Sequence, residues 1–435
     1  MALTGRTALI AALGALIAGL LPGWTGIAVV GLPLLAAIGY DLLRAAPVRT
    51  LHLSRPATQS IRLGETADVE LTVTNPSGRD LRAELRDAWP PSSWQPGGAY
   101  AASRHRLTVP AGERRRVTTV LHPTRRGDRQ AARVTVRSHG PLGLAARQGS
   151  HHVPGTVRVL PPFSSRKHLP SKLARLRELD GRTSVLLRGE GTEFDSLRDY
   201  VPGDDIRSID WRATARQSAV AVRTWRPERD RHLLLVLDTG RTSAGRVGDI
   251  PRLDAAMDAT LLLTALAAHA GDRVDLLAFD RRTRASVRGR TGKDVLPAVV
   301  QALAPLEPAL IESDMNALAT AARAGAPRRS LIVLFTSLDT APVEMGLLPV
   351  LPQLTQRHTV LVAAVADPRI EEMRTARGTA PAVYEAAAAA QHEAERHRTK
   401  ARLAQLGVTV VEAPPADLPP AVADAYLALK AAGRL

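Results

Sequence analysis

The amino-terminal part of the chain is apolar and carries no charged side chain from Thr7 to Tyr40. Pro22 and Gly23 divide this stretch into two arms, Thr7–Leu21 and Trp24–Tyr40. A membrane-spanning helix needs about 20 apolar residues, with about 17 as a lower limit, so both arms are short. A tight Pro-Gly turn still leaves its backbone groups within reach of water at the far interface. We therefore predict a two-helix transmembrane hairpin over residues 1–48.

The charges that flank this hairpin predict its orientation. Arg6 precedes the first arm, Arg44 and Arg49 follow the second, and the turn carries no charge. Positively charged residues favour the cytoplasmic side, so the pattern predicts a multi-pass protein of the plasma (inner) membrane with cytoplasmic soluble domains. Two alternatives remain open: a secretory signal peptide with Arg6 as its basic region, and a single tilted anchor.

Residues 49–162 have the pattern of short strands separated by turns. Asp68–Thr74 alternates polar and apolar residues and is followed by the turn cluster Asn75–Gly78. Similar runs recur at Arg104–Val109, Arg115–Leu121 and Ala132–Arg137. Several strands at such spacing are typical of a β-sandwich of immunoglobulin-like type.

From residue 232 to residue 435 the period of the pattern changes. Five nearly continuous apolar runs occur, at His232–Leu237, Val274–Phe279, Ser330–Phe335, Thr359–Val365 and Val408–Val411. Helical patterns lie between them, at Leu253–Ala270, Val295–Leu303, Met315–Arg323 and Tyr384–Leu406. Buried strands that alternate with helices predict an α/β domain with a parallel, doubly wound sheet. Ligands of such sheets bind at the carboxyl ends of the strands.

Composition excludes several classes of function. The 435 residues include no Cys, which rules out disulfides, thiolate nucleophiles and cysteine metal sites. The net charge is +16, and all but five of the 58 basic residues are Arg. These Arg residues are spread along the chain after residue 43, whereas a nucleic-acid surface gathers its charge on one face. We therefore expect no nucleic-acid partner.

Polar side chains follow the apolar runs where a ligand would bind. Asp238 ends the first run and is followed by Thr239-Gly-Arg-Thr-Ser243; Glu312-Ser-Asp314 and Thr336-Ser-Leu-Asp339 lie at later loops. Carboxylate and hydroxyl oxygens suit a hard divalent cation such as Mg²⁺. The alternative is a loop Asp whose oxygens are satisfied by capping the following turn.

The order of these residues resembles the von Willebrand factor A-type domain and its metal-ion-dependent adhesion site, Asp-x-Ser-x-Ser with a distant Thr and a distant Asp. By position, the resemblance assigns Asp238, Thr242, Ser313 and Ser337 to a degenerate metal site. Gly240 stands where the first Ser belongs, and Ser337 stands where the distant Asp is expected. One hydroxyl and one carboxylate are lost, so affinity for a divalent cation should fall.

A dense polar run occupies the end of a linker and signature segment, residues 163–231, which we expect to pack on the carboxy-terminal domain. Its charged and aromatic residues are Glu193, Asp195, Arg198, Asp199, Asp204, Asp205, Arg207, Asp210, Trp211 and Arg212. A solvated charge run would not contain Phe194, Ile206 and Trp211, so we predict an ion-pair network on a partly buried surface.

This run, from about Gly189 to Asp238, resembles the signature of a bacterial membrane family catalogued as domain of unknown function 58. The family combines a pair of amino-terminal membrane helices, a β-rich segment, the signature and a von Willebrand A-like domain. Its frequent association with MoxR-type AAA+ ATPases implies such an ATPase as partner and a chaperone or assembly role.

We expect the chain to be a membrane-anchored interaction or scaffold protein and not an enzyme. The sequence holds no G-x-S-x-G, P-loop, H-E-x-x-H or dinucleotide fingerprint. One alternative is a Mg²⁺-dependent adhesion-type module. A second is a hydrolase that uses Glu193 and Asp195 as its carboxylate pair.

Overall fold

A computed structural model of the chain describes residues 1–20, 24–95, 103–186, 193–202, 204–216, 219–226 and 231–435. The side chains of residues 180–186, 193–196 and 224–226 are outside this description, as is the predicted Pro22-Gly23 turn. The chain forms two compact units, Met1–Pro162 and Phe163–Leu435.

The first unit begins with two apolar helices, α1 (Gly5–Ala18) and α2 (Trp24–Arg44). They pack on each other so closely that a Cβ on Gly14 would lie 2.3 Å from Cγ1 of Val30. The outer end of each helix is held by the same segment of the β-rich part. Thr4 Oγ1 donates to Gly143 O at 2.8 Å, and buried Asp41 accepts the amide protons of Leu142 and Leu144 at 2.7 and 2.6 Å. The helices therefore run antiparallel.

The outward faces of both helices are apolar. The exposed large apolar side chains of α1 and α2 are Leu9, Ile10, Leu13, Leu16, Ile17, Trp24, Ile27, Val29, Leu32, Leu35, Tyr40 and Leu43. Among the described residues, one helix, α2, is long and apolar enough to cross a membrane, and α1 is a shorter apolar helix. At 1.5 Å per residue the 14 residues of α1 span roughly 21 Å, less than the roughly 30 Å of a hydrocarbon core.

The β-rich part of this unit consists of eleven described strands. They are β1 (Ala2–Leu3), β2 (His52–Ser54), β3 (Thr58–Arg62), β4 (Ala67–Thr74), β5 (Leu81–Ala88), β6 (Arg104–Val109), β7 (Arg114–Leu121), β8 (Gly127–Gln130), β9 (Arg133–His139), β10 (Ala145–His151) and β11 (Thr156–Leu160). The sheet orders are β1-β10-β9-β5-β6, β2-β4-β7 and β3-β11-β8. This confirms a β-rich amino-terminal domain.

Alternating side chains of these strands form the core of the unit. In β4 and β5 every second residue is buried, as the two-residue period of a strand with one covered face requires. Leu71 and Val73 of β4 pack in one cluster with Leu81 and Leu85 of β5. The alternation seen in the sequence thus places the apolar side chains of β4 and β5 on the buried face of these strands.

The second unit opens with a short 3₁₀ turn, Ser164–His168, and helix α3 (Leu169–Leu186). A two-stranded antiparallel hairpin follows, β12 (Glu193–Asp199) and β13 (Ala221–Arg226). Between its strands lie a 3₁₀ turn, Ile206–Ser208, and helix α4 (Trp211–Thr214). The polar signature therefore folds as a hairpin with a helical insertion.

The rest of this unit is an α/β sheet. Its strands are β14 (His232–Asp238), β17 (Arg273–Phe279), β18 (Thr283–Val287), β19 (Leu331–Phe335), β20 (Thr359–Val365) and β21 (Thr409–Ala413). Two short strands, β15 (Arg246–Val247) and β16 (Ile250–Pro251), form a separate ribbon. Its helices are α5 (Arg241–Ala244), α6 (Arg252–His269), α7 (Val295–Leu303), α8 (Met315–Gly325), α9 (Thr340–Pro342), α10 (Leu348–Thr355), α11 (Pro368–Thr375), α12 (Ala380–Gln405) and α13 (Leu418–Ala431), with a π-helical turn at Val343–Leu347.

The strand order is β18-β17-β14-β19-β20-β21, and all neighbours are parallel except β18. Helices α8 and α10 pack in a core cluster with alternate residues of the strands, such as Leu234 and Val236. Helices α6 and α13 pack together outside that cluster, and Leu233, Leu235 and Leu237 are buried as well. The sheet is thus covered on both faces, which confirms the predicted α/β domain with a parallel sheet.

This topology creates a switch point between β14 and β19. From β14 the chain builds β17 and β18 on one side and then crosses to build β19 on the other side. The connections that leave the carboxyl ends of β14 and β19 diverge, and such a switch point is where open α/β sheets bind ligands.

Candidate functional site at the carboxyl edge of the sheet

Asp238, the last residue of β14, is the centre of the group at the switch point. It is 2% exposed, and both of its carboxylate oxygens accept hydrogen bonds. Oδ1 accepts from Gly240 N at 2.9 Å and Ser313 Oγ at 2.5 Å. Oδ2 accepts from Thr336 Oγ1 at 2.8 Å and Thr242 Oγ1 at 3.3 Å. The carboxylate therefore joins the loops that follow β14 and β19 to the loop before α8.

The hydrogen bonds around Asp238 require a glycine at position 240. A Cβ at this position would lie 2.2 Å from Ser313 Oγ and 2.9 Å from Ile311 O, and such distances are not tolerated. The backbone closes on the same segment, because Arg241 N donates to Ile311 O at 2.8 Å. The departure from Asp-x-Ser-x-Ser at Gly240 thus has a steric cause, since Ser313 occupies the space that a serine side chain would take.

The structure brings three of the four predicted metal-site residues together. Asp238, Thr242 and Ser313 are in direct contact, and Ser337 is not bonded to them. The Oγ of Ser337 is buried and has no hydrogen-bond partner in the described part of the chain. Thr336 contacts Asp238 in its place. The structure therefore places Thr336, and not Ser337, against Asp238, because successive side chains at a strand end point in opposite directions.

Asp280 is a second buried carboxylate at this edge that the sequence reasoning missed. It follows β17 directly and is 1% exposed. Its Oδ1 accepts from the amides of Arg281 and Arg282 at 2.6 and 3.2 Å, and Arg284 Nε lies 3.6 Å from Oδ2. Asp280, like Asp238, stands at the end of an apolar run, and this pattern could have identified it from the sequence.

The remaining acidic residues of the edge point elsewhere. Asp339 lies 3.4 Å from Arg252 Nη1. Glu312 pairs with Arg241, and Asp314 caps α8 by accepting from Ala317 N at 2.9 Å. The described residues contain no group of three or more His, Asp or Glu side chains arranged for a metal ion. The oxygens around Asp238 suit a hard cation by type, but they carry a single negative charge.

Among its described residues, the signature segment has two ion pairs within its own hairpin. Arg198 binds Asp204 through two nitrogens at 2.8 and 2.5 Å, and Arg223 Nε binds Asp210 Oδ2 at 2.8 Å. The hydrogen bond from Arg198 lowers the pKa of Asp204, and the amide of Val201 lowers it further. Asp210 also accepts the amide protons of Arg212 and Ala213, so it caps α4.

The other residues of the predicted network either form no ion pair within the described part of the chain or lie outside it. Asp205 caps the turn Ile206–Ser208 by accepting from Arg207 N. The side chains of Asp199, Arg207 and Arg212 form no ion pair within the described residues, and the side chains of Glu193 and Asp195 lie outside the description. Trp211 is 65% exposed and Ile206 is 67% exposed. The prediction that these apolar residues are held on a partly buried surface was wrong, because α4 and the turn before it contact their own hairpin.

The signature hairpin and most of the α/β sheet lie in the part of the chain that matches a known protein family. Residues 196–406 match the family described as protein of unknown function DUF58. This range runs from β12 of the signature hairpin to the end of α12 and includes every residue bonded to Asp238.

Uncharacterized proteins of two genera are similar to part of the chain. Those of Mycobacterium bovis and Mycobacterium tuberculosis are 29% identical over 197 residues, which is 45% of this chain and 61% of theirs. YeaD of Bacillus subtilis, also uncharacterized, is 23% identical over 199 residues, 45% of this chain and 50% of its own length. The chain thus matches about three fifths or less of the length of these relatives.

Among solved structures, the chain is similar to the CARDB domain of PF1109 from Pyrococcus furiosus. The solution structure has a TM-score of 0.18 and 15% identity, and the match covers 25% of this chain and 93% of that one. A crystal structure of the same domain in complex with two metal ions has a TM-score of 0.17 at 16% identity. Similarity at this level carries no functional argument.

Proposed function

We propose that this chain is a membrane-anchored, non-catalytic interaction protein, an adaptor or co-chaperone that binds its partner through the carboxyl edge of its α/β sheet. The observation that carries the proposal is the convergence of three loops on Asp238 at the switch point of the sheet. A loop cluster held by one buried carboxylate forms a rigid surface, and rigidity reduces the entropy that a partner loses on binding.

The state of Asp238 supports a binding role over catalysis. A general base needs an oxygen within reach of a substrate proton. Both oxygens of Asp238 accept hydrogen bonds from the protein itself, and the residue is buried. We therefore propose that Asp238 organises the loops and does not transfer protons.

The strand order supports a von Willebrand A-like identity for the α/β domain. Its largely parallel sheet, with Asp238 at the end of the first of these strands along the chain, supports that resemblance. A MoxR-type AAA+ ATPase as the partner rests on the family resemblance of the signature. The experiment is affinity capture of the tagged full chain from detergent-solubilised membranes in the ATP-bound and ADP-bound states.

We expect capture of such an ATPase by the wild type and its loss in Asp238→Ala. Asp249→Ala is the matched control, because the Asp249 side chain is fully exposed and bonded to no strand-end residue. Failure of the wild type to capture an ATPase in either nucleotide state contradicts the proposal. Equal capture by wild type and Asp238→Ala contradicts the role of the strand-end surface.

For the anchor, we propose that both α1 and α2 insert, with the soluble units in the cytoplasm of the cell. The exposed apolar faces of the two helices and their antiparallel packing support a hairpin. Reporter fusions that fluoresce only in the cytoplasm test the orientation. A carboxy-terminal fusion should fluoresce, and a fusion that is dark but active as a periplasmic reporter contradicts this proposal.

A second candidate function is a Mg²⁺-dependent adhesion-type module, favoured by the contact of Asp238 with three hydroxyl groups. Asp238, Thr242, Ser313 and Thr336 would hold the ion, which supplies positive charge for a carboxylate of the partner. This reading predicts that EDTA abolishes capture and that Mg²⁺ restores it. Capture that survives EDTA excludes it.

A further inference from the structure

The outer ends of α1 and α2 are fixed to a turn of the β-rich part, residues 140–144. Before α1, strand β1 pairs with β10, and Thr4 Oγ1 donates to Leu144 O at 3.1 Å. At the end of α2, the buried carboxylate of Asp41 accepts the amide protons of Leu142 and Leu144. The same turn therefore holds both helix ends, and the position of the helices relative to this turn is fixed.

A second turn, residues 75–80, lies at the same end of the first unit. Strand β9 is antiparallel to β5, so the turn after β9 lies beside the turn before β5. From this second turn, Arg79 Nη1 donates to a carbonyl oxygen in the last turn of α2. The loop 110–113 joins it, because Gly112 N donates to Asn75 O at 2.9 Å. We call this surface the helix-end face and define it as residues 1–6, 41–44, 75–80, 110–113 and 139–147.

The helix-end face carries the arginines Arg6, Arg44, Arg79 and Arg147. The first three are exposed, and Arg147 is half-buried. Arg147 Nε donates to a carbonyl oxygen in the last turn of α2 at 2.8 Å, and Arg44 lies 5.8 Å from the ring centre of Tyr40. None of these arginines forms an ion pair with a carboxylate in the described part of the chain.

The carboxylates of the helix-end face have partners of their own. Asp41 is buried and accepts backbone amide protons, and Asp80 Oδ1 accepts from Ala111 N at 3.1 Å. Glu113 pairs with Arg115 at 3.1 Å. The guanidinium charges of this face thus lack a carboxylate partner, unlike those of other arginines in the β-rich part that form ion pairs, which are Arg55, Arg104, Arg115 and Arg158.

Exposed apolar side chains lie among these arginines. Leu3, Leu43 and Leu142 are 66%, 68% and 48% exposed, and Tyr40 is 46% exposed. The exposed apolar surface of α1 and α2 begins directly at this face. Arginine, tyrosine and aliphatic side chains together suit the lipid–water interface, because guanidinium groups bind phosphate while apolar side chains enter the layer beneath it. The surface that fits this face is therefore that of a lipid bilayer.

We propose that the helix-end face rests on the bilayer surface and that Arg6, Arg44, Arg79 and Arg147 bind the phosphate groups of anionic phospholipids. The proposal rests on the proposed anchor, because the outer ends of an inserted hairpin lie at one interface. Anionic headgroups fit better than zwitterionic ones, since a choline group would bring a further cation to arginines that already lack a carboxylate partner.

Lipid binding to the full chain in detergent tests the site. Native mass spectrometry measures the dissociation constants of phosphatidylglycerol and phosphatidylcholine, and phosphatidylglycerol should bind more tightly. Arg6→Gln and Arg44→Gln should each weaken its binding about fivefold. Neither side chain donates to a protein acceptor within the described residues, so both variants keep the hydrogen bonds to the end of α2. Arg133→Gln is the matched control, because this exposed arginine lies at the opposite end of β9.

The position of the face is tested by fluorescence quenching in nanodiscs that contain phosphatidylglycerol and a lipid with a headgroup spin label. The chain has no cysteine, so one introduced cysteine carries the only fluorophore. Gly78→Cys lies in the turn 75–80, where an added Cβ meets no atom within 4 Å. Ala132→Cys is the control, at an exposed position beside the opposite end of β9. The label at residue 78 should be quenched and the label at residue 132 should not.

Each other outcome overturns the proposal. Equal affinity for phosphatidylglycerol and phosphatidylcholine excludes recognition of anionic headgroups. Inorganic phosphate that displaces phosphatidylglycerol at equal concentration assigns the arginines to a free anion instead of a lipid. Wild-type affinity in Arg6→Gln and Arg44→Gln removes the site from these residues. A label at residue 78 that is quenched no more than the label at residue 132 excludes contact of the face with the bilayer.

Membrane fractionation separates this proposal from the proposed anchor. If Leu32→Arg reduces the membrane fraction while the label at residue 78 is not quenched, the lipid contact of the helix-end face falls and the anchor stands. If Leu32→Arg leaves the membrane fraction unchanged, the anchor falls. Binding of phosphatidylglycerol that still depends on Arg6 then assigns the face to lipid without insertion of α2.

Discussion

Ser313 donates a hydrogen bond of 2.5 Å to Oδ1 of Asp238 although 75 residues separate them in the chain. The bond joins the end of β14 to the loop before α8, which is also held by the contact of Arg241 N with Ile311 O. Hydrogen bonds to a charged acceptor are stronger than neutral ones. The position of this loop therefore depends on the charge of Asp238 and on the space left by Gly240.

Gly240→Ser should destabilise the α/β domain, because its Cβ would lie 2.2 Å from Ser313 Oγ. We expect a loss of about 1–3 kcal/mol in the free energy of unfolding, the usual cost of overpacking. Urea unfolding measures it. Combining Gly240→Ser with Ser313→Ala removes the closest contact and should cost less than the sum of the single changes.

Gly245→Ala is the matched control for this cycle. It lies in the same loop, and its added Cβ would meet no atom closer than 3.4 Å. Its stability should stay within about 1 kcal/mol of the wild type, the range expected for Gly→Ala at a compatible backbone conformation. Additive effects of Gly240→Ser and Ser313→Ala would contradict the steric account of Gly240.

Asp238→Asn should also destabilise the domain, since an amide nitrogen cannot accept the hydrogen bonds that one carboxylate oxygen now accepts. Two donors, either Gly240 N with Ser313 Oγ or Thr336 Oγ1 with Thr242 Oγ1, lose their acceptor. We expect a loss of about 1–3 kcal/mol in unfolding free energy. Asp249→Asn, at a fully exposed position, should have no such effect, and equal stability of the two variants would contradict the assigned hydrogen bonds.

The parallel strands could be predicted because their burial on both faces leaves a direct trace in the sequence. Leu233–Leu237 is apolar at every position, and Thr359–Val365 was located to the residue. The strand β5 was missed because charged residues alternate with Leu81, Ala83 and Leu85, and only the tertiary packing shows which side faces inward. The antiparallel edge strand β18 carries few apolar residues and left no recognisable pattern.

The sequence located Asp238 and two of the hydroxyl side chains that contact it, Thr242 and Ser313, but not Thr336. Asp238 was found from its place after an apolar run, but the choice between Thr336 and Ser337 depends on which way the chain turns after Phe335. Exposure of Trp211 could not be predicted either, since burial of an aromatic residue depends on neighbours that are remote in sequence. Local patterns thus locate strand ends, whereas the tertiary fold decides which side chain at a strand end contacts Asp238.

The ion pair of Arg198 with Asp204 should make the stability of the signature hairpin depend on pH. Arg198 lowers the pKa of Asp204 in the folded state, so the stabilisation is present above the unfolded value of about 3.9. This stabilisation is lost as the pH falls through the lower pKa that Asp204 has in the folded state. The amide of Val201 donates to Asp204 Oδ2, so its NMR shift follows the titration.

Arg198→Gln should move this titration midpoint upwards, towards the ordinary value for Asp. Arg212→Gln is the control, because the Arg212 side chain forms no ion pair within the described residues and its loss should leave the midpoint unchanged. A midpoint that is the same in wild type and Arg198→Gln would show that the pair does not form in solution.

Leu32→Arg should impair membrane association if α2 is an anchor. Leu32 is 66% exposed on the apolar face of α2, and Arg at the centre of a spanning helix costs about 2.5–3.5 kcal/mol for insertion. The carbonate-resistant membrane fraction should fall. Leu142→Arg places the same charge on an exposed residue of the β-rich part and should leave that fraction unchanged. Equal fractionation of the two variants would argue against insertion of α2.

Lys430→Met should destabilise the α/β domain, because it removes the ion-pair partner of the buried Asp272. This pair lies at the edge of the sheet opposite Asp238. Asp272 is 6% exposed, and Lys430 Nζ lies 3.0 Å from its Oδ1 while Tyr426 Oη donates to Oδ2. Removing one partner of a buried ion pair leaves the other uncompensated, which costs about 3–5 kcal/mol. Thermal or urea unfolding measures this loss, and Lys293→Met, at an exposed position, is the control.

The loss in Lys430→Met should depend on pH in a defined direction. Burial raises the pKa of Asp272 in the folded state, and Lys430 is the main group that opposes this rise. Without Lys430 the folded pKa rises further above the unfolded value of about 3.9. The protonated form then favours folding, so the deficit of the variant is smallest near pH 4 and grows as the pH rises through the folded pKa. A deficit that is constant between pH 4 and pH 8 would show that lost packing of the Lys430 side chain, and not the charge on Asp272, causes the destabilisation.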